Sequence, residues 1–216
     1  ELNAGTGLDA VALITRGYRV HATDLAPGMV AEMARKQAAL GLNGRLTLQQ
    51  CSFTELDRVQ AGPFEAVFSN FGGLNCVAEL TAVTCHLPHL LRPGAVLTWV
   101  IMPPICPWEL LRWPQDWRTA TRRLRRGGVR AQVEGVSFQT YYFTPGQVRR
   151  ALGPAFKLLE LRGLSIVTPP ADNDQFARRH PRLFARLARL DDRLSRWPLL
   201  NQIGDFFILT ARYEPS

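Results

Sequence analysis

Three features within the first 24 residues together suit the binding of a nucleotide. The turn at residues 4–7 is built from small residues, Asp9 begins a predicted helix, and Asp24 follows a predicted strand over 19–23. Glycines in such a turn let the backbone approach a ligand closely, and the first turn of a helix has free N–H groups. A carboxylate at the end of a strand can accept two hydrogen bonds from a ribose diol. Ligands of open α/β sheets bind at these carboxyl ends.

Two families of nucleotide-binding enzymes fit this arrangement. Residues 5–10, Gly-Thr-Gly-Leu-Asp-Ala, match the G-x-G-x-x-A pattern of dinucleotide-binding proteins, which favours a nicotinamide-dependent oxidoreductase. Glu1, Asn3, Gly5 and Gly7 also resemble the E-x-G-x-G-x-G first motif of class I S-adenosylmethionine-dependent methyltransferases. The glycine turn by itself does not separate these alternatives.

Three later segments resemble further motifs of the methyltransferase family, in the same order and at matching spacing. Residues 24–30 are similar to the D-x-S-x-x-M stretch after its second strand, and residues 64–71 to its fourth strand and the exit from it. Residues 90–97 resemble the L-x-P-G-G-x-L turn into its fifth strand. The resemblance covers residues 1–102 and says little about 103–204. An oxidoreductase would leave these segments unexplained.

The resemblance implies S-adenosylmethionine as the cofactor and assigns roles around it. The glycine turn contacts the methionine part, the acidic residue after the second strand holds the ribose, and its neighbours flank the adenine. Residues after the third strand meet the adenine edge, and those after the fourth lie nearest the reacting methyl group. The predicted cofactor-binding residues are Glu1, Asn3, Ala4, Gly5, Gly7, Asp24, Leu25, Met29, Ser52, Phe53, Asn70 and Phe71.

The sequence departs from the family pattern at three places. Asn3 stands where the family has its first glycine, although asparagine tolerates the left-handed conformation. Ser52 stands where an acidic residue commonly binds the adenine amino group. No apolar strand precedes Glu1, so we expect the chain to lack its N-terminal portion. These departures keep open another alternative, a methyltransferase-like protein that binds its ligand without turnover.

We expect an α/β fold with a Rossmann-like, mostly parallel sheet, helices on both faces and an antiparallel last strand, because predicted strands and helices alternate. Predicted helices cover 9–16, 27–40, 75–91, 145–152 and 175–196. Predicted strands cover 19–23, 46–50, 66–69, 96–102, 156–168 and 206–212, with a hairpin or pair of strands within 129–142. The expected domains are a cofactor-binding core at 1–102, an inserted cap at 103–143, and the C-terminal part of the core at 144–216.

The aromatic, proline-rich segment after residue 102 lies where the family commonly places a lid over its methyl acceptor. We therefore expect a small, partly apolar acceptor beneath it. Residues 70–73, Asn-Phe-Gly-Gly, differ from the N-P-P-Y of methylases that act on adenine or glutamine amides, which argues against those acceptors. The predicted substrate-lining residues are Trp108, Trp113, Tyr141 and Tyr142. The candidates for a general base are Tyr141, Tyr142, His86 and Glu109.

The net charge of +8 is concentrated in the second half of the chain. Residues 1–108 carry seven basic and eight acidic side chains, a net charge of −1, and residues 109–216 carry nineteen and ten, a net charge of +9. Aromatic and basic residues interleave only loosely in the cap, so we do not expect nucleic acid to be the substrate. A basic stretch within the cap contains Arg118, Arg122, Arg123, Arg125, Arg126 and Arg130.

The predicted helix over 175–196 is amphipathic and basic. Such a helix either packs on its own domain with its arginines in water, which we favour, or lies on an anionic lipid surface. The apolar residues predicted on one face are Phe176, Leu183, Leu187, Leu190 and Leu194.

The four cysteines and four histidines show no spacing typical of a metal site or a disulfide framework. We therefore expect no metal and free thiols, which is typical of a cytoplasmic protein.

Overall fold

The computed structural model describes residues 1–125, 127–133, 136–170 and 173–215 of the 216-residue chain. Arg126 of the predicted basic stretch lies outside the described residues. Among the helices of these ranges, none is long and apolar enough to cross a membrane.

Strands and helices alternate through the first hundred residues, as predicted. The strands are β1 Val20–Asp24, β2 Leu46–Gln50, β3 Phe64–Ser69, β4 Leu91–Ile101, β5 Val129–Val133, β6 Val136–Thr140, β7 Phe156–Leu164 and β8 Phe206–Tyr213. The helices are α1 Leu8–Thr15, α2 Pro27–Ala39, α3 Thr81–Thr84, α4 Leu87–Leu90, α5 Pro107–Leu110, α6 Trp117–Ala120, α7 Pro145–Leu152, α8 Asp174–Arg179 and α9 Pro181–Leu194.

Two sets of hydrogen-bonded strands form the central sheet. In the first set β1 and β2 run parallel, so Asp24 lies opposite Gln50 at their carboxyl ends. In the second set β3 and β4 run parallel, and β8 is antiparallel to its neighbours β4 and β7. The predicted antiparallel last strand is therefore confirmed.

Residues 1–4 join the two sets of strands. The Leu2 N–H donates to the Phe68 carbonyl oxygen at 2.9 Å, and the Ala4 N–H donates to the Thr23 carbonyl oxygen at 3.0 Å. Because this segment bonds to β1 on one side and to β3 on the other, the strand order is β2-β1-(1–4)-β3-β4-β8-β7. The first motif of the sequence thus lies in the middle of the sheet.

Two predicted helices are divided in the structure, and a proline marks each division. The predicted helix over 75–91 is a 3-10 turn, Gly73–Cys76, followed by α3 and α4, and the predicted helix over 175–196 is α8 followed by α9. Pro88 lies in the first turn of α4, and Pro181 begins α9. Proline lacks an N–H group and clashes with the preceding turn inside a helix, so the prediction of one continuous helix over 175–196 was wrong, and the mostly helical stretch over 75–91 is interrupted.

Two strand boundaries also differ from prediction. β4 begins at Leu91 rather than at residue 96, and β7 ends at Leu164 rather than at residue 168. Ser165 has a φ of 53°, a left-handed conformation that does not continue a strand.

The predicted cap, residues 103–143, follows β4. It contains the short helices α5 and α6 and the antiparallel pair β5–β6, in which Val129 lies opposite Thr140. The predicted pair of strands is confirmed, with its second strand ending at Thr140 rather than at residue 142.

The largest buried cluster lies around β4 and β8. Trp99, Phe207 and Leu209 have no exposed surface and belong to this cluster. A second cluster, which includes Met33 and Leu46, packs α1 and α2 against β1 and β2. Both clusters lie beneath the carboxyl edge of the sheet and fix the positions of the loops there.

Leu209→Ala is expected to lower the free energy of unfolding by about 2–5 kcal/mol, because it leaves a cavity in the largest buried cluster. Urea unfolding measures the change. The matched control is Leu159→Ala on β7, since Leu159 is 47% exposed and loses little packing. Equal losses in the two variants would contradict the burial of Leu209.

Candidate active site

The small-residue turn of residues 3–7 has left-handed backbone at three positions. Asn3, Gly5 and Gly7 have φ values of 49°, 55° and 76°, so asparagine does replace the expected glycine without loss of the turn. Gly7 also lies against α2, since a Cβ atom there would lie 2.9 Å from the Met33 Cγ. The turn therefore needs glycine at position 7 both for its conformation and for close packing.

Asp24 ties the turn to the end of β1. Its Oδ2 accepts a hydrogen bond from the Gly5 N–H at 2.8 Å, and its Oδ1 accepts one from the Ala26 N–H at 2.9 Å. An ionised carboxylate has about four acceptor positions, so each oxygen of Asp24 retains capacity for a ribose hydroxyl.

Asn70, at the exit of β3, connects three parts of the site. Its Nδ2 donates to Asp9 Oδ2 at 2.9 Å, its Oδ1 accepts from the Phe71 N–H at 2.8 Å, and its carbonyl oxygen accepts from Asn3 Nδ2 at 3.2 Å. Asn3 Oδ1 also accepts from the Ser69 hydroxyl at 2.6 Å. The glycine turn, the start of α1 and the exit of β3 are thus held together by side-chain amides.

Phe71 lies beside this junction with its side chain in water. It has a φ of 51° and is 73% exposed, an unusual combination for a large aromatic residue. Strained, exposed residues of this kind cluster at functional sites.

The residues predicted around the adenine do not all line one cavity. Leu25 and Ser52 line a cavity of about 380 Å³ at the carboxyl ends of β1 and β2. The Ser52 hydroxyl forms a hydrogen bond with the Thr54 hydroxyl at 2.7 Å. Phe53 packs against the largest buried cluster, and Met29 is half-buried in α2. Of the residues predicted around the adenine, Leu25 and Ser52 are therefore the two that line the same cavity.

The glycine turn has negative electrostatic character. Burial, together with the nearby Asp9 and Asp24 carboxylates and against the opposing effect of the terminal amine, raises the pKa of Glu1 to about 7. Glu1 Oε2 is buried and has no hydrogen-bond partner among the described residues. A site of three carboxylates with an unsatisfied oxygen suits a positively charged ligand.

Two site residues carry no signal in the sequence motifs. Asp9 belongs to the Gly-Thr-Gly-Leu-Asp-Ala run, but its bond to Asn70 crosses 61 residues. Asn75 is fully buried, and its side chain bonds to both backbone groups of Met102 and to the Tyr141 carbonyl oxygen at 2.6–3.1 Å. The signal that could have revealed Asn75 is a lone polar residue in an otherwise apolar stretch. It joins the exits of β3 and β4 to the cap.

The four predicted substrate-lining residues separate into two groups. Tyr141 and Tyr142 line a cavity of about 640 Å³ under the cap. Trp108 instead donates its indole N–H to the Val167 carbonyl oxygen at 2.9 Å, and Trp113 is 59% exposed on the surface. The structure therefore brings only the two tyrosines of this set together.

The remaining base candidates already have hydrogen-bond partners. His86 Nε2 lies 3.2 Å from the Thr54 carbonyl oxygen. Glu109 is buried, and its carboxylate accepts hydrogen bonds from Arg122 and Arg123 at 2.6–2.9 Å. Burial alone would raise the pKa of Glu109, but these two guanidinium groups outweigh it and hold the pKa below its ordinary value. A low pKa makes Glu109 a poor base.

Arg123 is the centre of a buried ion cluster that fastens the cap to β8. Arg123 is 5% exposed and also donates a hydrogen bond to the Asp205 carboxylate at 2.7 Å. Its Cζ atom lies 5.3 Å from the centroid of the Tyr142 ring. Donor atoms of Cys106, Glu109 and Asp205 lie within 4.8 Å of one another, a spacing that would suit a metal ion. The guanidinium groups of Arg122 and Arg123 already pair with the two carboxylates of this trio.

Residues 1–94 match the family model described as a methyltransferase domain. This stretch of the chain is similar to a methyltransferase domain. It contains the glycine turn, Asp24, Ser52 and Asn70, whereas the cap lies outside the matched residues. No curated protein sequence matches the chain.

Several solved structures share the fold of this chain. A putative S-adenosylmethionine-dependent methyltransferase from Listeria monocytogenes is 14% identical with a TM-score of 0.67, over 99% of this chain and 88% of that one. An S-adenosylmethionine-dependent methyltransferase from Methanosarcina mazei is 16% identical with a TM-score of 0.65, over 100% of this chain and 91% of that one. The (4+2)-cyclase SpnF is also 16% identical, with a TM-score of 0.59 over 100% and 74%.

These comparisons confirm the resemblance that the sequence motifs carry. The fold is the Rossmann-like fold of class I S-adenosylmethionine-dependent methyltransferases, and S-adenosylmethionine is the cofactor that family and fold imply. The roles of single residues around that cofactor stay predictions.

Glu109→Gln is expected to lower the free energy of unfolding at pH 7 by up to about 3–5 kcal/mol, because it leaves a buried guanidinium short of negative charge. The folded-state pKa of Glu109 is lowered, so its stabilising effect is present above the unfolded pKa of about 4.5 and is lost as the pH falls through the folded value. Urea unfolding at several pH values measures this.

The exposed Glu79 provides the control for this prediction. Glu79→Gln should change the free energy of unfolding little at pH 7 and in the acid range. A Glu109→Gln effect that stays constant from pH 7 to the acid range would contradict the role given to the ion cluster.

Proposed function

We propose that this protein transfers the methyl group of S-adenosylmethionine to a small, partly apolar acceptor bound under the cap. The observation that carries the proposal is the convergence of Asp9, Asp24 and Asn70 on one glycine turn at the carboxyl edge of the sheet. Ligands of open α/β folds bind at this edge.

The residues around the turn fit a bulky cationic cofactor in two respects. A Cβ atom added to Gly5 would meet no atom within 4 Å, so the turn faces open space there. The buried Glu1 Oε2 lacks a partner among the described residues and lies near two further carboxylates. An ammonium group would donate a hydrogen bond to that oxygen, and the positive charge of an ammonium or sulfonium group would relieve the repulsion among the carboxylates.

S-adenosylmethionine supplies, when bound, a methyl group on a positively charged sulfur that is already activated for displacement. The protein therefore needs to orient the reactants and exclude water, which is worth about 7–11 kcal/mol at best. We assign ribose binding to Asp24 and place Asn70 and Phe71 next to the reacting methyl group. An aromatic face such as that of Phe71 attracts a cation.

The acceptor side of the proposal relies on the cavity lined by Tyr141 and Tyr142. Asn75 bonds to the Tyr141 carbonyl oxygen and follows the exit of β3 by six residues, which supports placing the acceptor cavity near the expected methyl group. Because Glu109 is held by two arginines, we propose that the acceptor ionises without a strong base. Such an acceptor reacts when it is positioned correctly.

The same fold occurs in SpnF, whose described reaction is a cyclisation, so fold alone does not decide the reaction. The test is formation of S-adenosylhomocysteine, followed by mass spectrometry, with phenols, amines and thiols as acceptors. Calorimetry with S-adenosylhomocysteine and with NAD runs in parallel. Binding of NAD alone would favour the oxidoreductase alternative, and cofactor binding without product from any acceptor would favour a binding protein.

Asp24→Ala is expected to weaken S-adenosylmethionine binding by about 1–3 kcal/mol, roughly 5–150-fold, because two bonds to the ribose are lost. Asp24 also bonds to Gly5 and Ala26, so thermal unfolding must show that the variant is folded before calorimetry is interpreted. Glu65→Ala is the control, since that carboxylate is 80% exposed and pairs with Arg92. Unchanged affinity in folded Asp24→Ala would remove the ribose assignment.

Phe71→Gly is expected to separate stability from activity. Glycine adopts the φ of 51° without strain, so stability should stay within about 1 kcal/mol. Loss of the aromatic face should lower kcat/KM by roughly 2–30-fold, the size of a cation–π contact. Phe71→Tyr keeps the ring and should retain the rate. Equal rates in all three proteins would show that the ring takes no part.

A further inference from the structure

Helix α9 is attached to the rest of the protein along one face. The Asp191 carboxylate accepts hydrogen bonds from the N–H groups of Ile166 and Val167 at 2.9 and 2.8 Å. Just beyond the helix, the Ser195 carbonyl oxygen accepts a hydrogen bond from the Gly163 N–H at 2.8 Å. No residue of α9 is buried. The helix is therefore docked through polar bonds and keeps most of its surface in water.

Two leucines of α9 lie in water rather than in the core. Leu183 and Leu190 are 46% and 41% exposed. They are seven residues apart, almost two helical turns, and so lie on one line along the helix. Both were predicted to lie on a packed face, and that part of the prediction was wrong. The inner face is set instead by Asp191, which lies about 100° around the helix from Leu190.

A row of arginines runs beside these leucines. The arginines recur every three or four residues, so they share one side of the helix. They are Arg182, Arg186, Arg189 and Arg193, all exposed. Within the described ranges, none of the four forms an ion pair with a carboxylate. The outer surface of α9 thus combines unpaired positive charge with exposed leucine.

The apolar surface continues past the end of the helix. Trp197 is 61% exposed and Leu199 is 76% exposed. Leu199 has a φ of 73°, a conformation that a branched residue adopts only under strain. The strained backbone at Leu199 therefore holds a large apolar side chain in water rather than in the core.

We propose that the outer surface of α9, together with residues 197–199, docks onto membranes that contain anionic lipids. Guanidinium groups pair with lipid phosphates, and leucine and tryptophan side chains leave water by entering the interfacial region. A nucleic acid would use the arginines but leave the leucines in water. The combination therefore favours a lipid surface, and this inference is independent of the methyl-transfer proposal.

Vesicle co-sedimentation of the full chain tests the proposal. The protein should sediment with vesicles of phosphatidylcholine and phosphatidylglycerol, and not with vesicles of phosphatidylcholine alone. Arg186→Gln with Arg189→Gln should weaken partition roughly thirtyfold, the effect of two arginines at an anionic surface. The control, Arg149→Gln with Arg150→Gln, removes the same charge from α7 and should retain partition.

A second pair of variants tests the apolar contribution. Leu183→Ser with Leu190→Ser changes only exposed positions, so it should fold normally and lose the vesicle binding that persists in high salt. No sedimentation of the unaltered chain with anionic vesicles would overturn the proposal. Equal loss in the α7 control would also overturn it, as would binding of an oligonucleotide without any binding of vesicles.

Discussion

The bonds between Asn3 and Asn70 hold the middle of the sheet and the site in one arrangement. Asn3 lies on the segment between β1 and β3, and Asn70 ends β3. The Asn3 side chain donates a hydrogen bond to the Asn70 carbonyl oxygen, and the Asn70 side chain donates one to Asp9 on α1. Because neutral amides donate and accept at once, this junction is satisfied without any net charge. The carboxylates of Asp9 and Asp24 can then set the electrostatic character of the site.

The cap is coupled to this junction by buried polar groups rather than by apolar packing alone. Asn75 bonds to Met102 and Tyr141, and Arg123 bonds to Glu109 and Asp205. An unsatisfied buried polar group is costly, so each of these residues tolerates only a narrow range of cap positions. These bonds therefore fix the backbone on which Tyr141 and Tyr142 line their cavity.

Local patterns in the sequence predicted much of the fold and the cofactor side of the site. Residues 46–50 and 145–152 have the predicted bounds, because apolar alternation and a Thr-Pro start are local signals. The divided helices were missed although Pro88 and Pro181 lie in the sequence, since helical periodicity outweighed them in the prediction. The Arg123–Asp205 pair joins positions 82 residues apart, and no local pattern carries such a contact. The inner face of α9 was mistaken because a carboxylate, Asp191, organises it.

The substitution of asparagine for the family's first glycine has a steric counterpart. A Cβ atom on Gly73 would lie 2.2 Å from the Asn3 side chain, so the space beside the turn is filled from position 3 and must be left free at position 73. A chain with glycine at position 3 would lose this restriction and could carry a side chain at position 73. In related sequences, a larger residue at one of these two positions should therefore be accompanied by a small residue at the other.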